Sequence, residues 1–197
     1  MPRLLLIRHG RPTVDPATPP ETWDLAPDGL ADIDELRCSG RLPGRARWFS
    51  SPEPKAVETA RRLTDARVTV VPELAEHRRG VHWFDDAAEF ATTVRRAFDL
   101  PQERAVPEWE PLARTRDRVM PAVRRILAEH AEHAEHAEHA KHADEADMVL
   151  VGHGTAWTLV AADLTGAAPD LDAWAALRMP DVWEVGWPVG GHIDGCA

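Results

Sequence analysis

The sequence has few cysteines, no long apolar run and no excess of positive charge. Its two cysteines, Cys38 and Cys196, lack the spacing of a metal-binding or redox pair, so we expect free thiols in a reducing, cytoplasmic setting. No apolar stretch approaches the ~18 residues of a membrane span, and a strand predicted almost at the first residue leaves no room for a signal peptide. The net charge of −10 argues against nonspecific binding to nucleic acid or to anionic membranes.

Short apolar runs alternate with helical patterns along the chain, and these runs predict buried parallel strands. The predicted strands cover residues 3–7, 46–50, 68–71, 148–151 and 182–187. The predicted helices cover residues 28–42, 51–65, 85–98, a long segment from residue 112, and 155–164. This order predicts one domain over residues 1–197, an α/β fold with three α/β/α layers and a mostly parallel central sheet.

Two details of the helices carry specific expectations. Ser51 is predicted to cap the second helix, with Pro52 at the first helical position. Pro121 lies inside the predicted long helix and is expected to weaken or kink it, because proline lacks the amide hydrogen.

Residues 128–146 are a low-complexity, helical Glu-His-Ala extension within the domain. A repeat of three residues on a helix of 3.6 residues per turn drifts by about 60° per repeat, so its histidines spread around the cylinder. We therefore favour a solvated helical extension. The alternative is metal storage, since neighbouring pairs of histidines can bind a transition metal weakly. The repeat histidines are at positions 130, 133, 136, 139 and 142.

Two short strings follow two of the predicted strands: Arg-His-Gly at residues 8–10 and Gly-His-Gly at residues 152–154. The carboxyl ends of parallel strands form the ligand-binding edge of an open α/β sheet. A neutral imidazole is nucleophilic at neutral pH, and an arginine binds phosphate oxygens in a bidentate manner. Either string alone is more typical of a structural histidine. Together they indicate phosphoryl chemistry through a histidine.

Four stretches, taken in order, resemble the histidine phosphatase superfamily, the group that includes cofactor-dependent phosphoglycerate mutases. Residues 5–10 resemble its opening strand and nucleophile, and residues 51–60 resemble its Ser-Pro-x-x-Arg-Ala-x-x-Thr-Ala helix. Residues 74–76 resemble its Leu-x-Glu acid motif, and residues 151–154 resemble its second histidine motif. The turn at 26–29 also resembles a step of the family pattern, so the resemblance covers most of the domain.

The resemblance implies a role for each matched residue. His9 is implied to be the nucleophile that becomes phosphohistidine. Arg8, Lys55 and His153 are implied to bind the phosphoryl oxygens, and Glu76 to protonate the leaving oxygen and then activate water. This division of labour agrees with phosphoryl transfer, which depends mainly on positioning and charge stabilisation.

The sequence departs from the family pattern at three positions. Lys55 replaces the usual arginine, and a point charge loses the bidentate grip of a guanidinium. Asp15 stands where the family often has asparagine, and a carboxylate there would repel a phosphate unless it points away. Arg11 stands where many members have glutamate. Near the acid motif, Glu73 is the other carboxylate, and we prefer Glu76 for its spacing.

The sequence is less specific about which residues bind the rest of the substrate. Arg78 is predicted to bind substrate from a loop beside the pocket, although that loop can equally form a solvated rim. The same loops carry Trp23, His77, Arg79, His82 and Trp83. An aromatic wall is the less favoured interpretation of the tryptophans, which are more typical of core.

We therefore expect a metal-independent phosphatase that hydrolyses a small phosphomonoester through a phosphohistidine, without a cofactor. The expected partner is that small phosphorylated substrate, with no nucleic acid or membrane, and the oligomeric state is not set by the sequence. Two alternatives stay open. One is a phosphoglycerate mutase-like phosphotransferase, although the chain is short for a mutase. The other is a catalytically weak protein that binds a phosphorylated ligand.

Overall fold

Five strands form the sheet of this protein, whose structure, a computed structural model, describes residues 3–138 and 146–186. The strands are β1 (Leu4–Arg8), β2 (Ala46–Ser50), β3 (Val68–Val70), β4 (Asp147–Gly152) and β5 (Asp181–Val185). The helices are α1 (Leu30–Cys38), α2 (Pro54–Leu63), α3 (Ala87–Asp99), α4 (Leu112–Glu138), α5 (Gly154–Thr165) and α6 (Leu171–Ala176). Each predicted strand is present, displaced by at most two residues at its ends.

The strand order is β3-β2-β4-β1-β5. The first four strands in this order are parallel, and β5 pairs antiparallel with β1. The prediction of a mostly parallel sheet is thus confirmed. The two central strands, β1 and β4, are fully covered, which is why their sequences are continuous apolar runs.

Helices cover both faces of the sheet and complete the predicted three layers. Leu4 and Leu6 of β1 face a core that α4 and α5 close, whereas Leu5 and Ile7 face a core that α1 and α2 close. Side chains alternate between the two faces of a strand, so one apolar run contributes to both cores. The fold is a single α/β domain, as predicted.

Helix α2 begins later than its sequence suggests. Ser51 and Pro52 do not start it: the helix begins at Pro54, and Glu53 is the extended residue before it. The reason is that the backbone N–H of Ser51 donates to the carbonyl of Val151 and so continues the pairing with β4. The predicted cap at Ser51 is wrong, and its hydroxyl contributes to the site instead.

Helix α4 runs from Leu112 to Glu138 and continues through Pro121 without interruption. Its buried residues on both sides of the proline, Val119 and Val123 among them, hold it against the core.

His130, the first histidine of the repeat, is buried and so is not part of a solvated face. The side chains of 133–145 lie outside the described residues, and the hypotheses about the rest of the repeat stay predictions. None of the helices in the described ranges has the length and apolarity to cross a membrane.

Candidate active site

Neighbouring strand ends bring His9 and His153 to one edge of the sheet. Arg8 pairs with Gly152 in the parallel ladder between β1 and β4, so the residues that follow each of them emerge side by side. The two imidazole centroids are 5.2 Å apart, with the ring planes at 63°. The spatial convergence predicted from the two strings is present.

His9 is buried, and its ring is held in one tautomer. Its Nδ1 lies 2.6 Å from the carbonyl oxygen of Gly10. A carbonyl only accepts, so Nδ1 carries the hydrogen and Nε2 of the neutral ring keeps its lone pair. Burial lowers the pKa of His9 well below 6.5, and the positive charges of Lys55 and Arg8, with that of His153 whenever it is protonated, lower it further. His9 is therefore a neutral imidazole whose Nε2 carries no hydrogen and accepts no hydrogen bond from the part of the chain that the structure describes.

The glycines beside the histidines are required by packing. A Cβ atom on Gly10 would lie 2.6 Å from Cδ1 of Ile33, and one on Gly152 would lie 2.6 Å from Cζ2 of Trp157. Real Cβ atoms do not approach so closely. Close packing behind the site therefore accounts for both glycines.

His153 is held from the other side of the site. Its Nε2 lies 2.7 Å from Oγ of Ser51 and 3.3 Å from Oε1 of Glu53, whereas its buried Nδ1 has no hydrogen-bond partner among the described residues. Burial lowers the pKa of His153 to about 3; Glu76 opposes this shift, and Lys55 adds to it. Without ligand, His153 is neutral at pH 7.

Arg8 and Lys55 bring fixed positive charge to the histidines. Arg8 donates from Nη1 to the carbonyl of Leu177 at 2.8 Å, and its buried Nε has no hydrogen-bond partner among the described residues. The Nζ atom of Lys55 donates to the carbonyl of Pro20 and to Oε2 of Glu53, both at 2.5 Å. An ammonium has three hydrogens, so one of those on Lys55 is left for a ligand.

Glu53 is the residue that sequence reasoning missed. It is 4% exposed, and its carboxylate pairs with Lys55, accepts from the backbone N–H of Glu76 at 2.8 Å and lies beside His153. It occupies a variable position of the helix motif, so the resemblance gives no reason to select it. The available signal is local: a carboxylate stands two residues before a lysine that replaces an arginine.

Glu76 lies at the amino terminus of α5. Its Oε1 accepts from the N–H groups of His77 at 2.8 Å and Ala156 at 3.1 Å, and its Oε2 accepts from the N–H of Thr155 at 3.1 Å. Glu73, the other carboxylate considered, lies at the surface, where it pairs with Arg125 at 3.3 Å. Of the two, only Glu76 lines the cavity of the histidines.

Arg78 and Arg79 both line this cavity, but they differ in burial. Arg78 is exposed. The guanidinium carbon of Arg79 lies 5.0 Å from the ring centre of Phe90 and 4.9 Å from that of Trp109, and its Nη2 donates to Oγ1 of Thr155 at 2.8 Å. Arg79 is thus the arginine that the structure holds in a defined place, although Arg78 was the one selected from the sequence.

Of the other two departures from the family pattern, Asp15 does not line this cavity, whereas Arg11 lines its rim. The carboxylate of Asp15 is exposed and accepts from the backbone N–H of Ala17 at 3.0 Å. Arg11 pairs with Asp28 at 3.3 Å and Asp32 at 3.5 Å. Asp15 therefore turns away from the site, as its negative charge requires.

The predicted site residues all line one cavity of about 390 Å³. They are Arg8, His9, Lys55, Glu76, Arg78 and His153. The cavity combines a neutral nucleophilic nitrogen, several cations and a carboxylate, which is what transfer of a phosphoryl group needs. Across the described ranges, no group of three or more His, Cys, Asp or Glu side chains is arranged to hold a metal ion.

A family model matches most of the sequence. The sequence model of a family described as "Histidine phosphatase superfamily (branch 1)" matches residues 4–182. No curated protein sequence matches the chain.

Solved structures share the fold. A mycobacterial glucosyl-3-phosphoglycerate phosphatase has a TM-score of 0.69 at 20% identity, with 93% of this chain and 89% of that one covered. Its complex with inorganic phosphate has a TM-score of 0.65 at 21% identity, covering 95% and 97%. A phosphoglycerate mutase from Bacillus anthracis has a TM-score of 0.66 at 18% identity, covering 93% and 86%. At these identities the likeness establishes the fold alone.

Proposed function

The chain belongs to the histidine phosphatase superfamily, whose members are phosphatases or mutases, and we propose that it is a metal-independent phosphatase acting on a small phosphomonoester. The observation that carries the proposal is the neutral His9, whose Nδ1–H donates to Gly10 and whose Nε2 is free, beside the cations of Arg8 and Lys55.

In the first step, Nε2 of His9 attacks phosphorus. A P–N bond forms while the bond from phosphorus to the leaving oxygen breaks, and Glu76 in its protonated form gives that oxygen its proton. Arg8 and Lys55 stabilise the charge on the other phosphoryl oxygens. The carbonyl of Gly10 supports the positive ring that results, because it accepts from Nδ1–H.

His153 has its own part in this step. A bound phosphate brings negative charge next to a ring that is neutral without ligand, which favours protonation of His153. Its Nδ1, buried without a partner among the described residues, is the position available to donate to a phosphoryl oxygen. Ser51 and Glu53 hold the other nitrogen of the ring.

In the second step, a water molecule attacks the phosphohistidine. Glu76 is now a carboxylate and takes a proton from this water, the P–N bond breaks, and inorganic phosphate leaves. His9 is neutral again and Glu76 is protonated, so the cycle closes without a cofactor. The position of Glu76 in the cavity wall, where three backbone N–H groups hold its carboxylate, supports this role in both proton transfers.

The second candidate is a mutase reaction, since the fold is shared with a phosphoglycerate mutase, but such a reaction must shield the phosphohistidine from water. The third candidate, a weak phospho-ligand-binding protein, was suggested by Asp15 and Lys55. Asp15 is turned outward and Lys55 is held by Glu53, so neither residue argues against turnover.

The direct test is hydrolysis of p-nitrophenyl phosphate in the presence of EDTA. The wild-type protein is expected to turn over, and His9→Ala to lose activity by more than about a thousandfold because the nucleophile is gone. Acid quenching should trap phosphate on the wild type in an acid-labile, alkali-stable form and none on His9→Ala. Activity abolished by EDTA, or transfer of phosphate between positions of phosphoglycerate without release, would contradict the proposal.

A further inference from the structure

A second cavity, of about 350 Å³, opens beside the catalytic one. We call it the aromatic cavity. The two cavities share five residues of their walls: Pro20, Trp23, Arg79, Trp83 and Phe90. A ligand whose phosphate lies against His9 can therefore extend directly into the aromatic cavity.

Aromatic rings form most of this cavity's wall. The ring centres of Trp23 and Trp83 are 6.3 Å apart, those of Phe84 and Trp109 are 5.9 Å apart, and those of Phe90 and Trp109 are 6.1 Å apart. These separations are those of aromatic rings in mutual contact. Trp83 is nevertheless 47% exposed, so a large apolar surface is open to a ligand at this point.

The indole ring of Trp23 is held by groups outside the cavity's apolar surface. Nε1 of Trp23 donates to the carbonyl of Asp15 at 3.1 Å and to Oγ1 of Thr18 at 3.1 Å, which fixes the ring on its loop. Trp109 is fully buried, and its Nε1 has no hydrogen-bond partner among the described residues.

Arg79 lies where the two cavities meet. Its guanidinium stacks near Phe90 and Trp109 and donates to Thr155 at the start of α5. A cation held between a phosphate site and aromatic rings is suited to a ligand that combines negative charge with a π system.

We propose that the aromatic cavity binds the organic part of the substrate, which is a planar aromatic group joined to the phosphate through a short linker or directly. This inference rests on the proposed phosphatase function and specifies its substrate class. Two sources share this chemistry: a phosphorylated phenol or benzyl-type alcohol, and a nucleoside monophosphate.

The polar groups of the cavity argue against a sugar as the occupant. Apart from the indole N–H groups of Trp23 and Trp109, the side chains of this cavity that carry hydrogen-bonding groups are Arg79, His82 and Asp85. Arg79 already donates to Thr155, and Nδ1 of His82 lies 3.3 Å from the carboxylate of Glu108. A hexose would bury several hydroxyl groups against apolar rings and lose their hydrogen bonds to water.

The test compares benzyl phosphate with cyclohexylmethyl phosphate. Both release a primary alcohol, and their rings are similar in size, but only the benzyl ring is planar and aromatic. We expect kcat/KM to favour benzyl phosphate by about tenfold or more. Trp83→Ala should bring this ratio close to one, mainly through the KM of benzyl phosphate. Trp83→Phe should restore part of the preference because it keeps a ring face.

The matched control is Val70→Ala, which trims an exposed apolar side chain on the edge strand β3 and should leave the ratio unchanged. Comparing kcat/KM for nucleoside 5′-monophosphates with kcat/KM for phenyl or 2-naphthyl phosphate distinguishes the two sources of the ring. A ratio near one in the wild type, a ratio that Trp83→Ala leaves unchanged, or a preference for sugar phosphates or phosphoglycerates overturns the inference while leaving hydrolysis intact.

Binding of benzylphosphonate, measured by calorimetry, separates this inference from the proposed function. Because a phosphonate is not hydrolysed, its affinity relative to cyclohexylmethylphosphonate reports on the aromatic cavity alone. We expect the same tenfold preference in Kd and its loss in Trp83→Ala, whether or not the protein turns over. Equal affinities would overturn the inference. Failure of hydrolysis with this preference intact would overturn only the proposed function.

Discussion

Glu53 and Lys55 form a buried ion pair across the first turn of α2, with 2.5 Å between Oε2 and Nζ. Each side chain is 5% exposed, so both charges depend on partners inside the protein. Glu53 also contacts the backbone of Glu76 and the ring of His153. One carboxylate thus connects the lysine, the second histidine and the residue proposed as acid and base.

Glu53→Gln should destabilise the protein and slow catalysis. Removing one partner of a buried ion pair leaves the other charge uncompensated, at a cost of about 3–5 kcal/mol. We expect a lower free energy of unfolding and a kcat/KM for p-nitrophenyl phosphate lowered about tenfold or more. Denaturant unfolding and steady-state kinetics measure the two effects.

The control for this prediction is Glu58→Gln, which changes an exposed carboxylate on the same helix. The double variant Glu53→Gln/Lys55→Met should be less destabilised than the sum of the two single variants, since it removes both charges together. Additive effects would show that the pair is not coupled.

Glu76→Gln should separate the two chemical steps. The amide cannot protonate the leaving oxygen, so alkyl phosphates should slow by about a hundred- to ten-thousandfold. p-Nitrophenolate leaves without a proton, so its release should persist as a burst, while the phosphohistidine accumulates because water is no longer activated. Rapid-quench kinetics measures the burst of p-nitrophenolate and the amount of phosphohistidine. Glu73→Gln, at the surface beside Arg125, serves as the control and should behave as the wild type.

Stability should decrease on acidification below pH 6.5 because His9 and His153 are neutral in the folded protein. Their pKa values are lowered from 6.5, that of His153 to about 3, so the unfolded chain binds more protons between these pH values. The free energy of unfolding therefore falls as pH falls, by about 1.4 kcal/mol per pH unit for each histidine.

Denaturant unfolding at pH 7.0 and pH 5.5 tests whether the free energy of unfolding falls on acidification, with His153→Gln as the comparison. Glutamine does not titrate in this range, so the variant should lose less stability than the wild type between the two pH values. The low pKa of His9 also predicts that activity persists below pH 6.5 instead of falling there. Equal pH dependence of stability in both proteins would show that His153 is not buried in its neutral form.

Gly10→Ala should destabilise the fold through a clash with the core. The added Cβ would lie 2.6 Å from Cδ1 of Ile33, and overpacking of this kind costs about 1–3 kcal/mol. Gly44→Ala is the matched control, because a Cβ there meets no atom within 4 Å. Thermal unfolding measures both, and equal Tm values for the two variants would contradict the packing argument.

Much of the site was accessible from the sequence because it depends on strand ends. Apolar runs locate β1 and β4, and their parallel register brings the residues after Arg8 and Gly152 together. The convergence of His9 and His153 follows from that pairing. The resemblance to a family added Lys55 and Glu76, which the structure also places in the cavity.

Local signals alone were less reliable at element boundaries. The Ser51-Pro52 pair has the composition of a helix start, but pairing with β4 keeps the chain extended to Glu53. Pro121 lies inside α4, which continues on both sides of it with residues buried in the core, so its weakening of the helix stays a prediction. At Ser51, a tertiary contact outweighed a local preference.

By itself, the sequence determined the strands, the layer order and which imidazoles meet, since apolar periodicity and parallel pairing are properties of short segments and their register. Only the tertiary structure decided that Glu53 contacts Lys55, Glu76 and His153 together. It also decided that Arg79 is fixed by its neighbours whereas Arg78 is exposed. The contact between the aromatic cavity and the catalytic one likewise depends on the tertiary structure. These relationships join residues distant in the chain through the direction and packing of individual side chains, which no local pattern encodes.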